Sequence, residues 1–381
     1  MNFDLDDDQQ MFVDSVRRFG RDRLAAGALE RAHDPGYSWD TAREIAAQGL
    51  LGLTVPVERG GQGASLLDAV LAIQEVAMWC PKSADIVQAG NFGAIRTFAE
   101  YASPELAQQY LPDLLGGRTL LGLGMTEPDA GSAVTELKTT ARPDGDGYVL
   151  DGTKLFSTHS ADATIYLIYV RYGPGTDGIG SVVVERGTPG FTVGPPSEFM
   201  SGEQWCPLYF DGCRVPSSNV VLGPGGFRRQ MSGFNVERIG NASRALALGR
   251  HAFELAKAHA TEREQFGRPI CEFQGIQWKF ADMALKLEGA QLLLYKAAAG
   301  ADRGLPSAYD TSIAKLACNQ AGFEVANESL QVMGALGFSR DTLVEYCLRR
   351  TRGWMIAGGS VEILRNRIAE SVFDRRFSQR G

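Results

Sequence analysis

No CxxC pair, no metal-binding cluster, no membrane-length apolar run and no excess of basic charge occur in this sequence of 381 residues. Six cysteines stand apart at positions 80, 206, 213, 271, 318 and 347, and the four histidines do not gather with them. Reduced, mostly buried thiols are therefore expected, with neither disulfides nor a bound metal. Apolar stretches break well before the roughly 18 residues that cross a bilayer, so no membrane partner is expected. A formal net charge of -7, with both signs mixed along the chain, argues against nucleic acid as the main partner. The opening Met1-Asn2-Phe3-Asp4-Leu5-Asp6 is acidic and lacks the positive region of a signal peptide. A cytoplasmic location is the default. Gly60, Gly61 and Gly63 do not form GxGxxG after a strand, and no P-loop is visible, so a nicotinamide-binding fold has no support.

What is present reads as an ordinary globular chain, long enough for two or three packed units. Its 45 glycines follow no fixed period, which excludes a collagen-like or low-complexity protein. Residues 1–120 read as helical. Phe12, Val16 and Phe19 share a face, a second run goes from Leu66 through Glu75 to Trp79, and Ser103-Pro104 fits an N-cap followed by proline at the first helical position. Residues 121–226 change period. Tyr148–Leu150, Thr164–Val170, Ser181–Val184 and Leu208–Phe210 are rich in β-branched and aromatic residues and are divided by Pro/Gly/Asp turns at 143–147 and 174–178. From 227 to 381 long helices return, over 240–263, 274–299, 308–335 and 360–373, with breaks at Gly300–Gly304 and Gly334–Gly337. The fold class is α+β: an all-α N-terminal domain, a central β-barrel-like domain and a C-terminal four-helix bundle. Periodicity alone goes no further.

Local motifs do. Met125-Thr126-Glu127-Pro128-Asp129-Ala130-Gly131-Ser132, Asp151-Gly152-Thr153-Lys154-Leu155-Phe156-Ser157-Thr158 and Phe210-Asp211-Gly212-Cys213-Arg214-Val215-Pro216 occur in that order. Arg263-Glu264-Gln265-Phe266-Gly267-Arg268-Pro269-Ile270, Phe273-Gln274 and Gln331-Val332-Met333-Gly334-Ala335-Leu336-Gly337-Phe338 follow. In order and spacing the set resembles the acyl-CoA dehydrogenase family over essentially the whole chain. That resemblance implies FAD as cofactor, an acyl-CoA substrate and electron-transfer flavoprotein as the electron acceptor. It places Met125, Thr126, Gly131, Ser132, Phe156 and Thr158 against the flavin, puts Arg263, Gln274 and Gly334 in a cofactor site shared with a neighbouring subunit, and counts Phe266, Gln331 and Ser360 among the cofactor-binding residues. A homo-oligomer, dimer or tetramer, follows. Hydroxyl and backbone donors suit a ring that gains charge on reduction, and arginine's planar fork suits a pyrophosphate. Taken by position alone, Phe156 also fits a sheet-core side chain and Arg263 a solvated helix cap. Phe156 stands where most relatives carry tryptophan.

On the substrate side the resemblance assigns Ser132, Asn235, Arg238 and Gly358. Relatives commonly have aspartate where this chain has Asn235. The catalytic base of most relatives is a glutamate near the C-terminus, and here that position is Gly358, which can do no proton chemistry. Isovaleryl-type and long-chain members instead use the residue before the arginine of the preceding helix, which here is Glu237. Glu237 is thus the expected base, although an acidic residue in a first helical turn is also favoured by the dipole. A dicarboxylyl substrate would need a cation near Ala84, where only Lys82 is close in sequence, so an uncharged short, branched or cyclic acyl chain is expected. Other chemistries on the same fold stay open: a thioester desulfinase, a flavin monooxygenase or a nitroalkane oxidase. A non-catalytic helical interaction protein is the remaining alternative.

Overall fold

A computed structural model of the chain describes residues 4–301 and 306–377. The Met1–Phe3 part of the acidic start and the Gly304 end of the expected break lie outside the described residues. Seven helices come first: α1 (Asp7–Phe19), α2 (Ala28–His33), α3 (Trp39–Ala47), α4 (Leu66–Trp79), α5 (Ser83–Ala89), α6 (Ala94–Tyr101) and α7 (Pro104–Leu115). Their starts are set by caps. Asp6 and Gln9 form a capping box on α1, Ser65 and Asp68 one on α4, and the Ser103 hydroxyl accepts from Leu106 N at 3.1 Å with Pro104 at the first position of α7. α1 buries Val13, Val16 and Phe19, one stripe of a 3.6-residue repeat.

The strands are β1 (Leu121–Gly124), β2 (Thr140–Asp144), β3 (Gly147–Lys154), β4 (Ile165–Arg171), β5 (Ile179–Glu185), β6 (Phe191–Val193), β7 (Ser197–Glu198), β8 (Gln204–Trp205), β9 (Leu208–Pro216) and β10 (Val220–Leu222). β7 and β8 form a small separate hairpin. The others make one mixed eight-stranded sheet in the order β10-β5-β4-β2-β3-β9-β6, with β1 parallel to β4. This is the expected barrel-like domain, but its sheet is not closed. Closure requires the outer strands to pair, whereas β10 bonds only β5 and β6 only β9, and β2 meets β4 through the single pair Thr140–Arg171. β4 is apolar at every buried position because both of its faces are covered. Ile165 and Leu167 pack with Phe98, Leu106 and Leu111 from α6 and α7, while Tyr166, Ile168 and Val170 pack with Leu150, Phe210 and Val215.

The last region holds α8 (Phe227–Glu262), α9 (Gln274–Gly300), α10 (Ala308–Met333), α11 (Ala335–Phe338), α12 (Leu343–Trp354) and α13 (Val361–Val372), with a short hairpin, β11 (Glu264–Gln265) and β12 (Arg268–Pro269), after α8. α9, α12 and α13 pack on α10. α8 and α10 cross at Gly249 and Gly322, where a Cβ on Gly249 would lie 2.7 Å from the Gly322 Cα. Only glycine allows that approach. α8 starts thirteen residues before the expected position 240. Gly233 and Gly240 weaken local helix propensity, but a Cβ on Gly233 would sit 2.6 Å from the Thr97 hydroxyl, so packing there selects glycine and overrides propensity.

By internal contacts the chain forms two compact units. One gathers the residues up to His33, Ser65–Gln88 and Asn235 onward; the other gathers Asp34–Ala64 and Ala89–Phe234.

Candidate active site

In the unit that contains the sheet, two turns meet through the backbone: Leu155 N donates to Thr126 O at 2.8 Å, and Leu123 N to Thr158 O at 3.3 Å. Beneath them lies a buried ion pair. Lys154 Nζ is 2.7 Å from Glu127 Oε1 and 3.2 Å from the Met125 carbonyl, and the Glu127 carboxylate also accepts from the backbone N–H groups of Lys138 and Thr139. Burial lowers the ammonium's affinity for its proton, opposed by Glu127. Above this clip Gly131, Ser132 and Thr158 are exposed, and Met125 and Thr126 are partly so. Phe156 is 53% exposed, which rules out the sheet-core alternative. Its φ of +52° is costly for a residue with a Cβ, and Trp205 braces the ring with centroids 4.5 Å apart. An exposed aromatic face beside exposed hydroxyls and N–H groups fits a flat cofactor ring with polar edges.

In the helical unit, Asn235, Glu237 and Arg238 lie on α8. Glu237 is ten residues into that helix, so a first-turn dipole preference does not account for it. Its carboxylate is enclosed by protein, although the residue as a whole is partly exposed. Gln88 Nε2 approaches both oxygens, 3.0 Å from Oε1 and 2.9 Å from Oε2, and Asn241, one turn along α8, donates as well. Burial lifts this acid above the ordinary carboxylate range, opposed by Arg244, Gln88, Lys315 and Asn241. The nearby cations are occupied. Arg244 Nη1 pairs with Asp85 at 2.9 Å, Arg350 pairs with the same carboxylate, and both guanidinium groups lie over the Trp354 ring, at 4.6 and 4.9 Å. Lys315 is wholly buried and donates to the carbonyls of Trp354 (3.2 Å) and Gly359 (3.0 Å). Its pKa is lowered to about 7 by burial. Arg238 donates to Asn235 Oδ1 at 2.8 Å, and its buried Nε has no partner among the described residues.

Gly358 has φ +67°, and a Cβ there would lie 3.0 Å from Asn241 Nδ2 and 3.6 Å from Lys315 Cε. Gly358 thus borders the same buried cluster as Glu237. Ser360 caps α13, accepting from Ile363 N at 3.4 Å. Arg263 follows the last residue of α8, and its carbonyl accepts from Ile270 N at 2.8 Å, closing the β11–β12 hairpin. Phe266 on that hairpin is 95% exposed, and Gln274, Gln331 and Gly334 are exposed too.

Gln88, Asn241, Lys315 and the Glu127–Lys154 pair were missed from sequence. Asn241 carried a usable signal, since it stands four residues after Glu237 on one helix face. Gln88 and Lys315 are polar residues in otherwise apolar turns, a pattern that marks burial with a partner but does not name the partner.

Residues 6–118, 122–213 and 224–373 match the N-terminal, middle and C-terminal domains of acyl-CoA dehydrogenase in turn. A 3-sulfinopropanoyl-CoA desulfinase of Paraburkholderia xenovorans is 36% identical over 99% of both chains. The solved butyryl-CoA dehydrogenase of Megasphaera elsdenii superposes with a TM-score of 0.91 at 31% identity, covering 98% of this chain and all of that one. A glutaryl-CoA dehydrogenase of Mycobacterium smegmatis, solved with FADH2, gives 0.91 at 25% identity over 99% of this chain and 97% of that one. With all three domains matched in order and relatives similar along nearly the full length, the chain belongs to the acyl-CoA dehydrogenase family of flavoenzymes.

Proposed function

We propose that this enzyme removes hydrogen from Cα and Cβ of an acyl-CoA thioester, with FAD as its flavin and electron-transfer flavoprotein as the external acceptor. When bound, FAD supplies the acceptor for the hydride that leaves Cβ. The residues that would hold it are Met125, Thr126, Gly131, Ser132, Phe156 and Thr158, with Arg263, Phe266, Gln274, Gln331, Gly334 and Ser360. Glu237 takes the Cα proton. Arg238 and Asn235, with Ser132 and the space beside Gly358, bind substrate; the unpartnered Nε of Arg238 suits a cation kept for a ligand. One observation carries the reading: the chain lacks a side chain at 358 but holds at 237 an enclosed carboxylate, on a partly exposed residue, with no ion-pair partner among the described residues. Such a group is more basic than a surface glutamate, as proton abstraction requires.

A second reading is favoured by the 36%-identical desulfinase. Loss of sulfinate from Cβ would call for a cation at the far end of the acyl chain; Ala84 is fully buried and offers none, which leaves Lys82, two residues earlier, as the candidate. Anaerobic mixing of the purified flavoprotein with saturated acyl-CoAs and with 3-sulfinopropanoyl-CoA separates the two. Dehydrogenation predicts flavin bleaching with formation of 2-enoyl-CoA from a saturated thioester. Sulfite release from the sulfinate, with no bleaching by any saturated substrate, would overturn it.

A further inference from the structure

We propose that Gln88 is a positioning residue that fixes the direction of the Glu237 carboxylate. The inference rests on Glu237 being the base. A carboxylate is an acceptor only, so the Gln88 amide must present its NH2 to it. Contact with both oxygens at nearly equal distances, 3.0 and 2.9 Å, centres the carboxylate on one donor and so fixes where its head group points, with Asn241 as a second donor restraining a terminal sp³–sp² torsion that is otherwise broad. Gln88 itself is only 5% exposed and comes from α5, so the restraint is anchored on a different element from the one that carries the base. The choice of an amide has a chemical consequence. A guanidinium in its place would hold the carboxylate as firmly but would depress its proton affinity, making a weaker base. A neutral donor orients with a smaller loss of basicity.

The surrounding charges are arranged to allow this. From α5, Asp85 engages both Arg244 of α8 and Arg350 of α12. From α10, Lys315 is turned to the carbonyls of Trp354 and Gly359, and from α8, Arg238 is turned to Asn235. Arg367 of α13 acts on Arg238, and Tyr346 of α12 lies near Asp85 and Arg244. Arg244 and Lys315 act on the base from nearby, but among the described residues neither forms an ion pair with it, so Gln88 and Asn241 make its direct polar contacts. A side chain at 358 would press on Asn241, which ties the glycine there to the same arrangement.

The test uses the FAD-loaded enzyme and its best saturated acyl-CoA, comparing Gln88→Leu and Gln88→Glu with wild type and Glu237→Gln. Gln88→Leu should keep flavin and acyl-CoA affinity while slowing flavin reduction about 10- to 100-fold, the scale of a misplaced catalytic group. The acidic limb of its pH–rate profile should move to higher pH, because the lost hydrogen bond favoured the charged base. Gln88→Glu, placing a like charge against the base, should move that limb further up. A merely structural glutamine would change thermal stability without moving the limb. An unmoved limb and normal rate in both Gln88 variants, with Glu237→Gln inactive, would overturn this inference alone. Normal reduction by Glu237→Gln would remove the base assignment beneath it.

Discussion

Gly358 and Glu237 border one buried cluster, which holds Asn241 and Lys315. A Cβ at 358 would crowd Asn241 Nδ2 at 3.0 Å and touch Lys315 Cε at an ordinary 3.6 Å, and both residues act on Glu237. Glycine is also the residue that accepts φ +67° without strain. Gly358→Glu in the wild-type background should therefore lower stability by about 1–2 kcal/mol from backbone strain alone, with further loss as Asn241 is displaced. Urea denaturation of the flavin-loaded protein measures this, and an unchanged midpoint would show that the loop absorbs the side chain. Gly358 and Glu237 could both be singled out from the sequence, because each stands inside a motif that the family resemblance marks. The amide and the ammonium around Glu237 could not be read, since their partners come from helices 149 and 78 residues away: Glu237 to Gln88, and Glu237 to Lys315.

At the scale of elements, α8 is the spine of the helical unit, and it carries a pH-sensitive joint. His251 is 7% exposed, its ring contacts the Met78 carbonyl of α4 at 3.1 Å, and burial lowers its pKa to about 4. The unfolded chain binds this proton near the ordinary value of 6.5. Stability from neutral His251 is thus fully present above about pH 6.5 and is lost as pH falls toward about 4. His251→Leu should be less stable at pH 7, where the hydrogen bond is missed, but should lose less stability than wild type between pH 6.5 and 4. Denaturant midpoints across that range test it, and parallel slopes for the two proteins would contradict it. Elements with local stop and start signals were legible: α4 and α7 begin at Ser65 and Ser103 caps, and the β2–β3 turn follows Asp144-Gly145-Asp146-Gly147. The early start of α8 was hidden because its glycines answer to tertiary neighbours. The open sheet was hidden because closure depends on edge pairing, which strand periodicity does not encode.

For the whole molecule, the proposed cofactor site and the oligomer are linked claims. On α9, Trp278, Leu285 and Leu292 are 62, 75 and 50% exposed at seven-residue spacing, an apolar stripe that a second copy of the chain would cover. If Arg263 holds the flavin of a neighbouring subunit, Leu285→Lys should yield smaller species and weaker flavin retention together, by mass action. Arg263→Ala should weaken flavin binding while leaving helical content unchanged. Gel filtration with absorbance at the flavin and protein bands reads both, and a fully flavinated monomer would contradict the link. The central claim is nevertheless about one carboxylate. Stopped-flow reduction of the flavin by the best acyl-CoA should be slower in Glu237→Gln than in wild type by about 10²–10⁴-fold, the usual worth of a positioned base, with flavin content and acyl-CoA affinity retained. Reduction at a near wild-type rate would contradict the account.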